Sequence, residues 1–235
     1  MENTDYRNGL RDGVAVALGY FAVAFTFGMA SVANGLSGLQ AVLISLTNVT
    51  SAGQFSGLDI IVAGGSYIEI VLTQLVINLR YSLMSFSLAQ KLKQGKAGWH
   101  RYLMAYSVTD EIFALDASFK GSLPPAYHYG ITSVAVPGWV LGTLAGAVSG
   151  NILPAFVISA LGIAIYGMFL AIIIPPARKN HTILLVVLLA MAVSFLFSVL
   201  PVLKKVTSGF VIIITTVSIA GLAAWLKPIE DEEDI

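Results

Sequence analysis

Length and composition place this chain in a lipid bilayer. It has 235 residues, of which 57% are hydrophobic and only 11% are charged, whereas an average soluble domain is about 25% charged. A water-soluble globule of this length could not cover its surface with so few charges. The composition therefore excludes a soluble domain and indicates a polytopic membrane protein.

The charges are unevenly distributed along the chain. Thirteen bases balance thirteen acids, but five of the acids lie in the run 230–234, so the rest of the chain is net basic. The bases lie mostly in loops, which is typical of membrane orientation and not of nucleic-acid binding. We predict one integral membrane domain over 1–235 with an acidic, exposed or cytoplasmic tail at 230–235. Cysteine is absent, which excludes disulfides and iron–sulfur clusters.

The first apolar stretch, residues 13–33, is long enough to cross a bilayer. Its 21 residues would span about 31 Å as a helix, close to the thickness of the hydrocarbon layer. A cleavable signal peptide is the alternative, but its apolar region would be about 7–15 residues long and its leader would lack the acids found here. We therefore predict a retained transmembrane helix.

Further apolar blocks follow along the rest of the chain. They are 39–64, 66–90, 127–149, 153–174, 182–203 and 207–226, and the less apolar segment 102–118 precedes 127–149. Blocks of this length predict an all-α transmembrane helix bundle with about six to eight membrane segments.

Basic loop residues indicate how the bundle is oriented. Arg7 and Arg11 precede the first span, and four bases lie within 91–101. Because positively charged loops stay in the cytoplasm, an even number of crossings should separate these two regions. Three apolar blocks lie between them, so we predict that one block does not cross.

The block that fails to cross is predicted to be 39–64. Its middle, residues 47–54, is small and polar, with apolar arms on either side. Irregular backbone at membrane depth normally lines a cavity, so we predict a broken helix or a re-entrant pair. The alternative is an ordinary helix whose Ser and Thr side chains bond to their own carbonyls.

A glycine repeat marks the block 127–149. Glycine recurs every four residues, at Gly138, Gly142, Gly146 and Gly150. On a helix these positions form a stripe without side chains, which allows another backbone to approach closely. The stripe predicts helix packing, within the chain or against another subunit.

The block 66–90 carries polar residues at its centre. Asn78 lies at the middle and Arg80 two residues beyond it. An arginine near the bilayer centre costs about 2.5–3.5 kcal/mol on insertion scales and seldom persists without a function. Snorkelling is the alternative, but about 15 Å of helix separates Arg80 from the end of the block. Because Gln74, Asn78 and Ser82 share another face, the helix has two polar faces and is predicted inside the bundle.

The segment 102–118 contains the run Thr109-Asp110-Glu111. Two adjacent acids point about 100° apart on a helix, so they cannot both address one partner. We predict that one acid pairs with Arg80. The other would face a cavity, where burial disfavours the charged form and favours proton uptake. The alternative is a solvated interfacial helix, on which such acids need no partner.

No residue pattern typical of an enzyme is present in the sequence. The chain lacks a phosphate-binding P-loop and the motifs of serine hydrolases and zinc proteases. His100, His128 and His181 fall in or near predicted loops without metal-ligand spacing, and Glu69 and Asp116 are weak candidates near an interface. We expect no catalytic residue, no metal and no cofactor.

Three segments, in this order, resemble the AzlC family: Ser51–Phe55, Asn78–Tyr81 and Thr109–Glu111. The family comprises inner-membrane permease subunits associated with branched-chain amino-acid export and azaleucine resistance. The resemblance runs from the first helix through roughly residue 175. Many members have histidine where this chain has Tyr81, so a role that needs an imidazole there does not carry over.

The resemblance implies what the chain does. It implies a secondary transporter of the bacterial inner membrane that exports leucine, isoleucine, valine and analogues. The adjacent acids predict, in addition, that one of them carries a coupling proton. The resemblance also implies a partner, a small AzlD-type membrane subunit. The candidate substrate-binding residues are Asn48, Ser51, Gly53, Gln54, Asn78 and Arg80. The candidate ion-coupling residues are Thr109, Asp110 and Glu111.

Three other functions stay open at this stage. A passive channel would use 47–54 as a pore loop whose carbonyls replace ion hydration. An uptake permease would use the same residues in the opposite direction. An intramembrane enzyme would need two acids that converge, which adjacent helical positions do poorly.

Overall fold

Every regular element in the described part of the chain is helical, which confirms the all-α class. The computed structural model describes residues 2–92, 98–150, 170, 173–201 and 203–226. The helices are α1 (Glu2–Ala33), α2 (Gly38–Thr47), α3 (Ser51–Val62), α4 (Tyr67–Lys91), α5 (His100–Ala105), α6 (Asp110–Ser118), α7 (Pro125–Ser149), α8 (His181–Val199) and α9 (Ser208–Leu226). Most of the predicted block 153–174 and the whole acidic tail 230–235 lie outside the described residues.

The chain divides into two compact units. The first comprises Met1–Phe55 with Ile77–Ile163, and the second comprises Ser56–Val76 with Ala164–Ile235. Four helices of the described chain are long and apolar enough to cross a membrane: Asn3–Ala33, Pro125–Ser149, His181–Val199 and Ser208–Leu226. At 25 residues α4 is long enough as well, but its polar side chains keep it out of this group.

In the first unit, α1 contains the predicted span 13–33, ends with it at Ala33 and begins 11 residues before it. The leader is helical because it packs on α7. The Tyr6 hydroxyl donates to Ser133 Oγ at 3.0 Å, and the Tyr127 hydroxyl donates to Asp12 Oδ2 at 2.8 Å. The amphipathic leader therefore extends α1 beyond the stretch that hydropathy alone marks.

The glycine stripe of α7 lies against α1. A Cβ on Gly138 would lie 2.7 Å from the Ala17 carbonyl oxygen, and one on Gly142 or Gly146 would overlap a carbonyl oxygen of α1. At Gly150 a Cβ would lie 3.4 Å from Met29 Cα, in ordinary contact. The structure thus places the stripe against a helix of the same chain.

The predicted interruption of 39–64 is confirmed, but it is shorter than the polar run 47–54. α2 ends at Thr47 and α3 begins at Ser51. Residues 51–54 form the first turn of α3, because the Thr50 side chain accepts a hydrogen bond from the Gly53 N–H at 3.4 Å and so caps the new helix.

A second interruption lies in 102–118, a segment whose number of crossings the sequence leaves open. Residues 106–109 separate α5 from α6. Thr109 is the N-cap of α6, and its Oγ1 accepts a hydrogen bond from the Ile112 N–H at 3.3 Å. Both interruptions therefore end in a threonine that caps the helix that follows.

In the second unit, α8 packs with α9, and the start of α9 is held by Glu69. This buried carboxylate accepts a hydrogen bond from the Gly209 N–H at 3.1 Å and another from the Thr207 hydroxyl. A carboxylate at a helix N-terminus is electrostatically favourable, so the described contacts give Glu69 a structural role.

Candidate functional site

Arg80 and Asp110 form an ion pair in the first unit. Arg80 Nη1 lies 2.9 Å from Asp110 Oδ2, and the two side chains are 40% and 33% exposed. Asp110 is the first residue of α6, so the pair joins the middle of α4 to the end of the second interruption. The structure thus brings together two of the residues that the sequence singled out.

Arg80 also reaches the first interruption through Tyr81. Its Nη2 donates to the Tyr81 hydroxyl at 3.1 Å, and that hydroxyl donates to Thr50 Oγ1 at 3.5 Å. The guanidinium carbon lies 4.8 Å from the centre of the Tyr81 ring. One arginine is therefore linked to the capping threonine of α3 and to the first residue of α6.

The electrostatic balance differs between the two helix starts. A helix N-terminus presents unpaired N–H groups and the positive end of the helix dipole. The first turn of α6 carries Asp110 and Glu111, whereas the first turn of α3 carries no acid. The start of α3, with Arg80 nearby, is therefore the part of this site suited to an anion such as a carboxylate.

Glu111 has partners other than those of Asp110. The Tyr20 hydroxyl donates to Glu111 Oε2 at 3.0 Å, and the hydroxyls of Tyr20 and Thr109 are hydrogen-bonded to each other. The two adjacent acids thus diverge, as their spacing on a helix requires. Because the Glu111 side chain is exposed, it does not face a closed cavity.

Gln54 lies in a buried polar cluster that ties both arms of the first interruption to α7. It is only 1% exposed, and its Nε2 donates to Ser45 Oγ at 2.7 Å. The Ser45 and Thr143 hydroxyls are hydrogen-bonded at 2.6 Å. Gln54 Oε1 has no hydrogen-bond partner among the described residues.

The other predicted substrate residues lie close by along the chain. Asn48 ends α2, with its N–H bonded to the Ile44 carbonyl, and Ser51 and Gly53 lie in the first turn of α3. Asn78 is partly buried on α4, two residues before Arg80.

A buried cluster around His128 was missed by the sequence analysis. His128 Nδ1 lies 2.6 Å from Asp116 Oδ2, and both side chains are 0% exposed. His128 Nε2 lies 2.9 Å from Ser107 Oγ. His128 lies in α7, whereas the sequence analysis predicted a position in or near a loop. Helical periodicity could have revealed this, because His128 shares a face of the helix with Ile131 and Ala135.

The described residues contain no group of three or more His, Asp or Glu side chains that could hold a metal ion. Asp116, His128 and Ser107 have the order of contacts of a serine-hydrolase triad. However, Ser107 is only 1% exposed, so its hydroxyl is sealed from any substrate. The arrangement provides hydrogen bonds and a place for a proton, but no accessible nucleophile.

Apolar helices, two interrupted segments and an arginine that links them define a membrane protein of the transport class. Residues 15–153 match the family described as AzlC protein, which is more than half of the chain. The chain belongs to the AzlC family.

Two relatives extend this likeness over most of the chain. An uncharacterized membrane protein of Archaeoglobus fulgidus is 30% identical over 178 residues, which cover 75% of this chain and 78% of the relative. The inner membrane protein YgaZ of Escherichia coli K12 is 28% identical over 186 residues, 76% of each chain. No solved structure matches the chain.

Proposed function

We propose that the chain is a secondary-active exporter of leucine, isoleucine, valine and their analogues in the bacterial cell membrane. The observation that carries this proposal is the link from Arg80 to the starts of both α3 and α6. Helix starts inside interrupted membrane segments are suited to binding small charged solutes. An aliphatic side chain needs only an apolar pocket, which this composition supplies.

An amino acid is a zwitterion, and the site has a partner for each of its charges. The substrate carboxylate binds Arg80 and is attracted by the positive end of the α3 dipole. The substrate ammonium binds Asp110, while the buried Gln54 holds the floor of the site in place through Ser45. Asn48, Ser51 and Gly53 form the floor of the site, and Asn78 adds a hydrogen bond.

Proton coupling follows from competition for Asp110. A proton on Asp110 removes the negative charge that holds the substrate ammonium, so proton and substrate exclude each other at this carboxylate. Mutual exclusion produces exchange of a proton for a substrate molecule. Such exchange allows an inward proton gradient to drive export. Glu111 and Thr109 adjoin Asp110 and pass the proton on, with Tyr20 bonded to both. An AzlD-type small subunit completes the transporter.

Counterflow of labelled leucine into proteoliposomes tests the substrate site. The full chain is reconstituted with and without the small subunit. We expect Arg80→Ala to reduce counterflow by about 10-fold or more, because a hydrogen-bonded charged group contributes about 1.5–3 kcal/mol. Arg80→Lys keeps the charge without the planar fork and should retain part of the rate.

Arg7→Ala is the matched control, since Arg7 is exposed in the leader of α1. In cells, Arg80→Ala and Asp110→Asn should each abolish azaleucine resistance at unchanged protein level. Full resistance in both variants would refute the assignment of the site.

A further inference from the structure

The His128 cluster carries a net charge that depends on one proton. Asp116 and His128 are completely buried, and Asp116 Oδ1 has no hydrogen-bond partner among the described residues. With a neutral imidazole the pair is a buried anion, which is costly in an apolar interior. One added proton converts it into a neutral ion pair with a hydrogen bond already in place.

A chain of hydroxyl groups leads from the pair toward the outside of the unit. Ser107 Oγ lies 2.9 Å from His128 Nε2 and 2.9 Å from Thr132 Oγ1. Thr132 is only partly buried. Hydroxyl groups donate and accept at once, so this chain offers a proton a path to the buried imidazole.

The same proton changes the hydrogen bonds at the second interruption, where Ser107 lies. When the imidazole is neutral, the Ser107 hydroxyl donates to His128 Nε2. When it is protonated, Nε2 donates to Ser107, and with Thr132 also donating to Ser107 the Ser107 hydroxyl donates to the Met104 carbonyl oxygen 3.3 Å away. The protonated state therefore has one more hydrogen bond holding the link between α5 and α6.

Among the described residues, few other charged or titratable groups face the pair. The Lys91 ammonium of α4 donates to the backbone carbonyls of Asp116 and Ala117, not to the carboxylate. The Tyr129 ring of α7 lies 6.1 Å from the imidazole. The neighbouring Tyr127 hydroxyl is already engaged by Asp12 of α1.

We infer that the Asp116–His128 pair is a second proton-binding site, separate from Asp110, whose occupancy tightens the interruption between α5 and α6. Proton binding itself does not depend on the substrate, whereas its effect on transport rests on the proposed function. Because the protonated state holds the interruption more firmly, exchange should be slower at acidic pH.

Nitrogen NMR of the imidazole tests proton binding directly. The chain has three histidines, so the full-length His100→Gln/His181→Gln variant leaves His128 as the only imidazole. We expect its ring nitrogens to change reversibly between the neutral and the protonated pattern as the pH is varied over the range in which the protein stays folded. The pattern at a given pH should differ in the Asp116→Asn variant, which lacks the carboxylate. A ring that keeps one pattern over the whole range would overturn the site.

The pH profile of leucine counterflow tests the consequence. Wild-type exchange should rise several-fold as the pH is raised and the pair loses its proton, and His128→Gln and Asp116→Asn should flatten this rise while retaining counterflow. His100→Gln, the same substitution outside the pair, should keep the wild-type profile. Wild-type profiles in both pair variants, or complete loss of counterflow in both, would overturn the link to transport. If wild-type protein exchanges no amino acid, the proposed function fails and the NMR titration still decides the proton site.

Discussion

Arg80 has more partners than a structural ion pair needs. It contacts Asp110 on one side and Tyr81 on the other, and Tyr81 continues to Thr50. Both side chains of this pair are partly exposed and so remain accessible. Exposure leaves room for a ligand that replaces one partner, which is the behaviour expected of a substrate-binding arginine.

The Tyr81 hydroxyl should therefore contribute to substrate binding without determining it. Tyr81→Phe removes the bond to Arg80 and the bond to Thr50 but keeps the ring over the guanidinium. Loss of a hydrogen bond costs about 0.5–1.5 kcal/mol, so half-saturation of leucine counterflow should rise about 2- to 10-fold. Tyr67→Phe is the control, because Tyr67 is 89% exposed. Equal half-saturation in wild type and Tyr81→Phe would remove Tyr81 from the site.

The sequence revealed Arg80 as a candidate site residue but not His128. Arg80 was detectable because a charge in an apolar block is conspicuous, and the adjacent acids limited its possible partners to two. His128 was not detectable in the same way. Its partner Asp116 is twelve positions away, across a turn, and such a pairing depends on how α6 packs against α7, which no local pattern encodes.

At the level of helices, the close approach of α1 and α7 dominates the first unit. Gly146 leaves no space for a side chain, because a Cβ there would overlap the Phe25 carbonyl oxygen. Gly146→Ala should therefore force the helices apart and destabilise the protein by about 1–3 kcal/mol. The measurement is the midpoint of thermal unfolding in detergent.

Gly19→Ala is the matched control on the facing helix. A Cβ at Gly19 would meet nothing within 4 Å, and alanine is the better helix former by about 1 kcal/mol. Its midpoint should be unchanged or slightly higher. Equal losses in the two variants would show that the close contact at Gly146 is not what destabilises the protein.

The two interruptions show which elements a sequence can reveal. The first was predictable because residues 47–54 are polar in an otherwise apolar block. The second was hidden, since α5 and α6 are short and the acids of α6 also fit an ordinary interfacial helix. Both end in a capping threonine, but threonine is common within helices, so the cap becomes informative only when its bonded N–H is known.

For the whole molecule, the path through the membrane depends on α2 and α3. With 10 and 12 residues they are about 15 and 18 Å long, each roughly half of the hydrocarbon thickness of about 30 Å. Together they form either one broken crossing or a re-entrant pair that returns to its starting side. The basic residues before α1 and after α4 favour the re-entrant pair, because they place both of these segments in the cytoplasm.

Cysteine labelling separates these two paths, and the natural chain provides a background without cysteine. Single cysteines are introduced at three exposed positions, Asn8, Asn34 and Gly98, and intact cells are treated with a membrane-impermeant maleimide. For a re-entrant pair, α1 and α4 are the only crossings between Asn8 and Gly98. Asn34→Cys should then react in intact cells, and the other two only after permeabilisation. Reaction of Gly98→Cys in intact cells, with Asn8→Cys still protected, would show that α2 and α3 cross as one broken helix. In that case the basic residues of 91–101 would lie outside, against the charge rule that orients the rest of the chain.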